Sequence, residues 1–386
     1  MLCIVVALAA SSVRFERVLD VDNSSFLSAF NFYTYPDPTH GSVDFVSASE
    51  ALAEGLVSFS KGKIFMSADR TSYGLPRKSV RVFSEQTFSS GIFVIDLEHM
   101  PTGCGTWPAF WLCGPAWPNG GEIDILEGVH RQEHDQTTLH TSDSCSMDSV
   151  SRQSFTGNWG KGMGGADATN CYVKAPSQYR NQGCAIINDQ AATFGAPFNA
   201  QGGGVIATAW DAAGIRAYSW PRGKVPADLT ARADLNETGW GLPYARFEFG
   251  DECAPSHFHD HQIIFDLTLC GDWAGATFAQ ACADISGDCE GYISNPANVQ
   301  EAFWLVNYVD VWQDEALAVK HTVEPRDKAN LIPVESLPSQ ERNMEKGMEA
   351  RDLEHSTDAA LVSPIDRSNG RFFGPPHRQR RGPVVR

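Results

Sequence analysis

Gly121-Glu122-Ile123-Asp124-Ile125-Leu126-Glu127-Gly128 sets three carboxylates in one short apolar run, and burial alone does not account for them. In a strand, side chains alternate between faces, so Glu122 and Asp124 point one way while Ile123 and Ile125 point into a core. Strict alternation would then put Leu126 beside the acids and bury Glu127. One extra residue, accommodated as a β-bulge near Leu126, returns Glu127 to the acidic face and leaves the apolar face intact. The stretch therefore predicts a bulged strand carrying a row of carboxylates. A solvated strand face is the ordinary explanation for a single Glu-x-Asp. The third acid, and the residues around it, argue for chemistry.

With the bulge absorbing one residue, Glu122 and Glu127 are four strand steps apart, roughly 13 Å between Cα atoms. Two glutamate side chains leaning together from that spacing can bring their carboxyl groups to within several Å, and a retaining glycosidase needs about 5–5.5 Å. One must be ionised to attack the anomeric carbon, and the other protonated to release the leaving oxygen. Crowding three acids raises at least one pKa, and a hydrogen bond from Asp124 can hold the nucleophile in place. The protons titrate as a group rather than one residue at a time.

Gly105-Thr106-Trp107-Pro108-Ala109-Phe110-Trp111 lies just upstream, and Thr138-Leu139-His140-Thr141 just downstream. Sugar-binding clefts need flat apolar faces beside polar groups, and Trp and His supply both. Further runs complete a pattern: Asp37-Pro38-Thr39-His40-Gly41, Ser79-Val80-Arg81, His99-Met100-Pro101, Trp117-Pro118-Asn119-Gly120-Gly121 and Cys270-Gly271-Asp272-Trp273-Ala274-Gly275. In residues and in order, this set resembles glycoside hydrolase family 16, specifically the fungal endo-β-1,3(4)-glucanases called laminarinases, over roughly residues 20 to 313.

The resemblance implies that Glu122 is the nucleophile, Glu127 the general acid/base and Asp124 the assisting carboxylate between them. It implies His140 close to the reacting sugar, Trp107 and Trp273 against glucosyl rings, and Arg81 in the cleft. Trp111 and Trp117 are further substrate-binding candidates, with core packing the commoner role for any single Trp. The implied partner is a β-glucan, the implied reaction its endo-hydrolysis with retention, and no cofactor or metal is required. A glucan transglycosylase would use the same carboxylates. A non-catalytic glucan-binding protein would typically have lost one or both glutamates.

Short β-rich runs at Lys63 to Ala68, Ser79 to Ser84, Ile92 to Leu97, Ile215 to Trp220, Gln262 to Cys270 and Val306 to Trp312 are bounded by Gly, Pro, Ser or Asp. Helical periodicity is confined to Ala48 to Leu56. Many short strands without alternating helices predict two packed antiparallel sheets, an all-β fold. The family resemblance sharpens this to a β-jelly-roll sandwich with the substrate cleft across a concave sheet.

Residues 1–12 are apolar and end in small residues, as a signal peptide does, although no Lys or Arg precedes them. Residues 13–313 read as the catalytic domain. From Asp314 to Arg386 the chain carries twelve acids, twelve bases and no Trp or Tyr; such a tail buries too little apolar surface to order itself. Its charges cancel, so the formal net charge of −17 belongs to the rest of the chain. That acidity disfavours nucleic acid and anionic membranes as partners, and a neutral glucan is indifferent to it. No stretch is long and apolar enough to span a bilayer, and the arginine-rich end is unlike the tail of a lipid-anchored protein. A secreted monomer is the expectation.

Of ten cysteines, Cys3 falls in the leader. Cys104, Cys145, Cys171, Cys184, Cys253, Cys270, Cys282 and Cys289 stand at positions resembling those of fungal relatives, an even number consistent with disulfides in an oxidising compartment. Their pairing does not follow from spacing. Cys113 departs from the family pattern and borders the cleft. The sequons at Asn23 and Asn236 agree weakly with a secretory route. His257, His259 and His261 alternate as they would on one strand face, but read as a polar edge rather than a metal site. No Asp-rich loop of the EF-hand kind appears.

Overall fold

The computed structural model describes residues 14–318. The expectations for residues 1–12 and for the charged extension beyond Ala318 lie outside the described residues. In chain order the first nine strands are β1 (Phe15–Val21), β2 (Phe30–Phe32), β3 (Val43–Phe45), β4 (Val57–Ser60), β5 (Lys63–Ser67), β6 (Arg77–Ser79), β7 (Arg81–Ser84), β8 (Gly91–His99) and β9 (Thr106–Cys113). They are followed by β10 (Glu122–Glu127), β11 (Gln136–His140), β12 (Asn158–Trp159), β13 (Cys184–Ile187), β14 (Gly204–Asp211), β15 (Gly214–Pro221), β16 (Ala245–Glu248), β17 (Gln262–Leu269) and β18 (Phe303–Asp314).

Two antiparallel eight-stranded sheets form the jelly-roll sandwich. One runs β12-β13-β11-β10-β9-β17-β7-β2 and carries the acidic strand near its centre; the other runs β16-β15-β14-β8-β18-β5-β4, with β1 also paired to β18. The apolar faces meet in one large core. Ile123, Ile125 and Leu126 of β10 are fully buried there with Phe110 and Leu112 of β9, Ile263 and Phe265 of β17, and Phe93 and Ile95 of β8. Polar or smaller residues between these apolar positions face the other way, which is the period-2 signature of strands with one side on a core.

Apart from Ser79 to Ser84, the strands expected from sequence are present, most with shifted ends, and the helical run Ala48 to Leu56 is a helix over Ala48–Ala53, capped by the Ser47 side chain accepting from the Glu50 N–H at 3.3 Å. The run Ser79 to Ser84 is not one strand. Ser79 pairs with Phe45 in a small parallel ladder, whereas Arg81 pairs with Asp266 in the cleft sheet. Val80 is the joint between two different partners. The alternating histidines are likewise not a strand face: a 3-10 turn over Pro255–His257 breaks the period, His259 is exposed, and His261 is buried with Nε2 at 2.7 Å from the Gly120 carbonyl.

Four disulfides join Cys104 to Cys282, Cys145 to Cys253, Cys171 to Cys184 and Cys270 to Cys289, and among the described residues Cys113 is free. No helix of the described residues is long and apolar enough to cross a membrane.

Because Ile125 is fully buried beneath the acidic row, Ile125→Ala is expected to lower unfolding free energy by about 2–5 kcal/mol, through lost apolar burial and the cavity left behind. Chemical denaturation measures this; a loss below about 1 kcal/mol would contradict the packing, being smaller than large-to-small core substitutions cost.

Candidate active site

The bulge is where the sequence pattern requires it. Against β9, Asp124 pairs with Trp111 and Leu126 with Phe110, skipping Ile125; against β11 the register shifts between Asp124 and Glu127. Ile125 and Leu126 are thereby both turned to the core, and Glu127 returns to the side of Glu122 and Asp124.

Residues directly opposite one another in antiparallel strands share a face, so the register maps the floor of the cleft as three rows. The first is His140, Glu122, Cys113, Gln262; the second Thr138, Asp124, Trp111, Ile264, Phe83; the third Gln136, Glu127, Ala109, Asp266, Arg81. Ala109 offers only a methyl group between Glu127 and Asp266, which leaves the floor of the third row low.

Each glutamate is held by an indole. Trp107 Nε1 donates to Glu127 Oε1 at 2.9 Å, and Trp117 Nε1 donates to Glu122 Oε2 at 2.5 Å. Trp107 is on β9, while Trp117 hangs over β10 from the loop that joins β9 to it. That loop is narrow. The Gly114 N–H donates to the Gly121 carbonyl at 2.9 Å, and a Cβ on Gly114 would lie 2.1 Å from the Gly120 carbonyl oxygen. Asp124 is 2% exposed, whereas Glu122 and Glu127 are half-buried. His140 Nε2 is 3.2 Å from Asp124 Oδ2, yet Asp124 Oδ2 and His140 Nδ1 both lack an aligned hydrogen-bond partner. The contact is thus a close polar approach rather than a directed bond. Donor atoms of Glu122, Asp124 and His140 fall within 4.8 Å of one another, near enough to share a cation; the chemistry of a neutral sugar does not call for one.

Trp273 sits in the turn Gly271–Gly275 after β17 and meets Trp107 edge-on at 5.7 Å between ring centroids. The run Asp37 to Gly41 holds that turn. Asp37 accepts from the Thr39 N–H and the Thr268 hydroxyl, and the Thr39 carbonyl accepts from the Asp272 N–H at 2.9 Å. Gly271 has φ +67°, and a Cβ there would lie 2.6 Å from the Thr39 carbonyl oxygen, so only glycine fits.

On the far side of the floor, Arg81 is stacked between Tyr33 and Trp111, its guanidinium carbon 4.8 and 5.1 Å from the ring centroids, and pairs with Asp266 at 3.5 Å. All nine candidates from sequence therefore lie on or beside one face of this sheet. Asp266 and Tyr33 were not among them. An acid in the apolar run Ile263 to Leu269 is the same signal that singled out Asp124, and could have identified Asp266.

The carboxyls share one electrostatic condition. Burial, reinforced by Asp124, pushes Glu122 and Glu127 up to about 8, and burial pushes Asp124 to about 8 as well. Burial, with the charge of Asp37, raises Asp266 to about 7 against the pull of Arg81. The site therefore retains protons that exposed acids would release, and a partly protonated set can supply an ionised attacker and a protonated donor together. Burial also raises the Cys113 thiol, so a neutral thiol stands across from Glu122.

Retained protons set a pH dependence of stability. Between the ordinary carboxyl range and about 8 the unfolded chain has released protons that the folded cleft still holds, so this site makes stability fall as pH rises through that window. Glu122→Gln removes part of that penalty. Its melting temperature relative to the parent is expected to climb from pH 4.5 to about 8 and level off above; a difference that is flat with pH would contradict the assigned environment.

A sequence profile described as an XgeA-like, catalytic GH16 domain matches residues 30–312. A probable glycosidase of Schizosaccharomyces pombe is 38% identical over 301 residues, spanning 78% of this chain and 69% of the relative. A probable endo-1,3(4)-β-glucanase of Aspergillus niger is 38% identical over 319 residues, 79% of this chain but only 41% of that protein's length. Among solved structures, Laminarinase 16A from Phanerochaete chrysosporium with 6-O-glucosyl-laminaritriose in donor and acceptor sites superposes with TM-score 0.71 at 37% identity, covering 78% of this chain and 99% of that one. An elongating GH family 16 β-1,3-glucosyltransferase superposes with TM-score 0.70 at 31% identity, covering 78% and 100%. The chain belongs to glycoside hydrolase family 16, as an XgeA-like catalytic domain.

Proposed function

We propose that this protein hydrolyses β-1,3-linked glucan, and mixed β-1,3/1,4-glucan, within the chain and with retention of configuration. The observation that carries the reading is the pair Glu122 and Glu127 on one face of one bulged strand, each held by an indole N–H, with the buried Asp124 between them. Similarity to a probable endo-1,3(4)-β-glucanase and to a laminarinase that holds a β-glucan oligosaccharide supports the substrate.

Glu122 attacks the anomeric carbon while Glu127 delivers its proton to the leaving oxygen, giving a covalent glycosyl-enzyme. Glu127, now ionised, takes a proton from water as it attacks, and Glu122 leaves. Asp124 keeps Glu122 aligned and shares the proton balance of the row. Arg81, Trp111 and His140 on the floor, with Trp107 and Trp273 beside them, form the surface against which glucosyl units lie.

A second reading is transfer to a sugar acceptor, favoured by the likeness to the elongating glucosyltransferase. The intermediate is the same, so product size decides: chains longer than the donor require transfer. Four disulfides and the exposed Asn236 in its sequon support passage through an oxidising secretory route.

Glu127→Gln is expected to lower laminarin turnover by about 10²- to 10⁴-fold, the range of general acid–base contributions, and Glu122→Gln to abolish it, both with folding intact. Near-normal turnover by either variant would refute the roles. NMR of the products in the first minutes separates mechanisms: the β-anomer appears first under double displacement, and an initial α-anomer rules it out.

A further inference from the structure

Inserting a residue into β10 frees backbone groups from the ladder, and in this buried layer they need partners. The structure supplies them from the core side. The Ile125 carbonyl is 3.3 Å from Thr137 Oγ1 and 3.3 Å from the Tyr244 hydroxyl. The backbone N–H of Glu127 donates to Asp135 Oδ1 at 3.3 Å. The Tyr244 hydroxyl lies 2.9 Å from Asp135 Oδ2 and 2.6 Å from Thr137 Oγ1, closing the network. Asp135 is itself anchored, its N–H donating to Thr193 Oγ1 at 3.0 Å and its carbonyl accepting from the Asn188 N–H at 2.8 Å.

Asp135 and Thr137 are 0% exposed and Tyr244 1%. Among the described residues no cationic side chain pairs with Asp135. Burial raises both its carboxyl and the Tyr244 phenol. An uncompensated buried acid costs stability, and its contacts are concentrated on the backbone that aims Glu127.

We infer that Asp135, Tyr244 and Thr137 form a positioning unit that clamps the bulge from behind and thereby fixes the Glu127 carboxyl where it transfers its proton. The inference rests on Glu127 being the acid/base. None of the three residues touches the cleft floor, so they act through Glu127 and not on the sugar.

A leaving group that needs no protonation separates this role from a merely structural one. Tyr244→Phe is expected to lower kcat/KM on laminari-oligosaccharides by about 10- to 100-fold, the scale of a misplaced catalytic group, while kcat/KM on a dinitrophenyl β-laminaribioside stays near the parent value. Sodium azide, which attacks the intermediate without base assistance, accelerates turnover of the aryl glycoside by the variant and not by the parent. Thr137→Val, a smaller change in the same contact, follows the same pattern. Asp135→Asn, which still accepts from the Glu127 N–H, loses less than Asp135→Ala. Equal losses on both substrates, or no loss on either, overturn the inference. Glu127→Gln is the control: if it shows the leaving-group dependence and the clamp variants do not, the clamp alone is wrong; if it too lacks the dependence, the acid/base reading falls with it.

Discussion

The irregularity at Ile125 and Leu126 is the constraint on which the rest depends. A regular strand would bury Glu127 among the side chains that now receive Ile125 and Leu126, leaving two acids in the cleft instead of three. By pairing Asp124 with Trp111 and Leu126 with Phe110, the chain keeps a continuous apolar underside and an acidic upper side from the same six residues. Core and cleft are thus built by one local departure from the ladder, and neither survives its removal unchanged.

The upper side is costly to assemble. Three carboxyls along one strand and a fourth at Asp266 are kept from ionising by burial and by one another. That resistance is what the proposed chemistry uses: an acid that ionised readily would have no proton for a leaving sugar near neutral pH. The indoles of Trp107 and Trp117 stabilise charge on Glu127 and Glu122 without adding a cation that would empty the site of its protons. Arg81 is engaged by Asp266 and two aromatic rings.

Much of this was legible in the chain. Two adjacent apolar residues between acids, Ile125 and Leu126, admit few strand solutions other than a bulge, and the alternation of the flanking strands marks their inner faces. What could not be read depends on partners remote in sequence. Ser79 and Arg81 look like one strand until Phe45 and Asp266 claim them separately. Eight cysteines allow 105 pairings, and only the fold brings Cys104 to Cys282. The family resemblance implied a cleft position for Trp107 and left Trp117 a candidate, without showing that each indole is bonded to a different glutamate. Asp135 and Tyr244 carry no local signal, because their significance is the bulge they meet from below.

The most direct measurement is to trap the intermediate. Incubation with a 2-deoxy-2-fluoro-β-laminaribiosyl fluoride, followed by peptide mass mapping, reads which carboxylate bonds to the sugar. A stoichiometric adduct on Glu122, formed by the parent and lost in Glu122→Gln, is the expected result. An adduct on Glu127 or Asp124, or none under conditions in which the enzyme turns over laminarin, would contradict it.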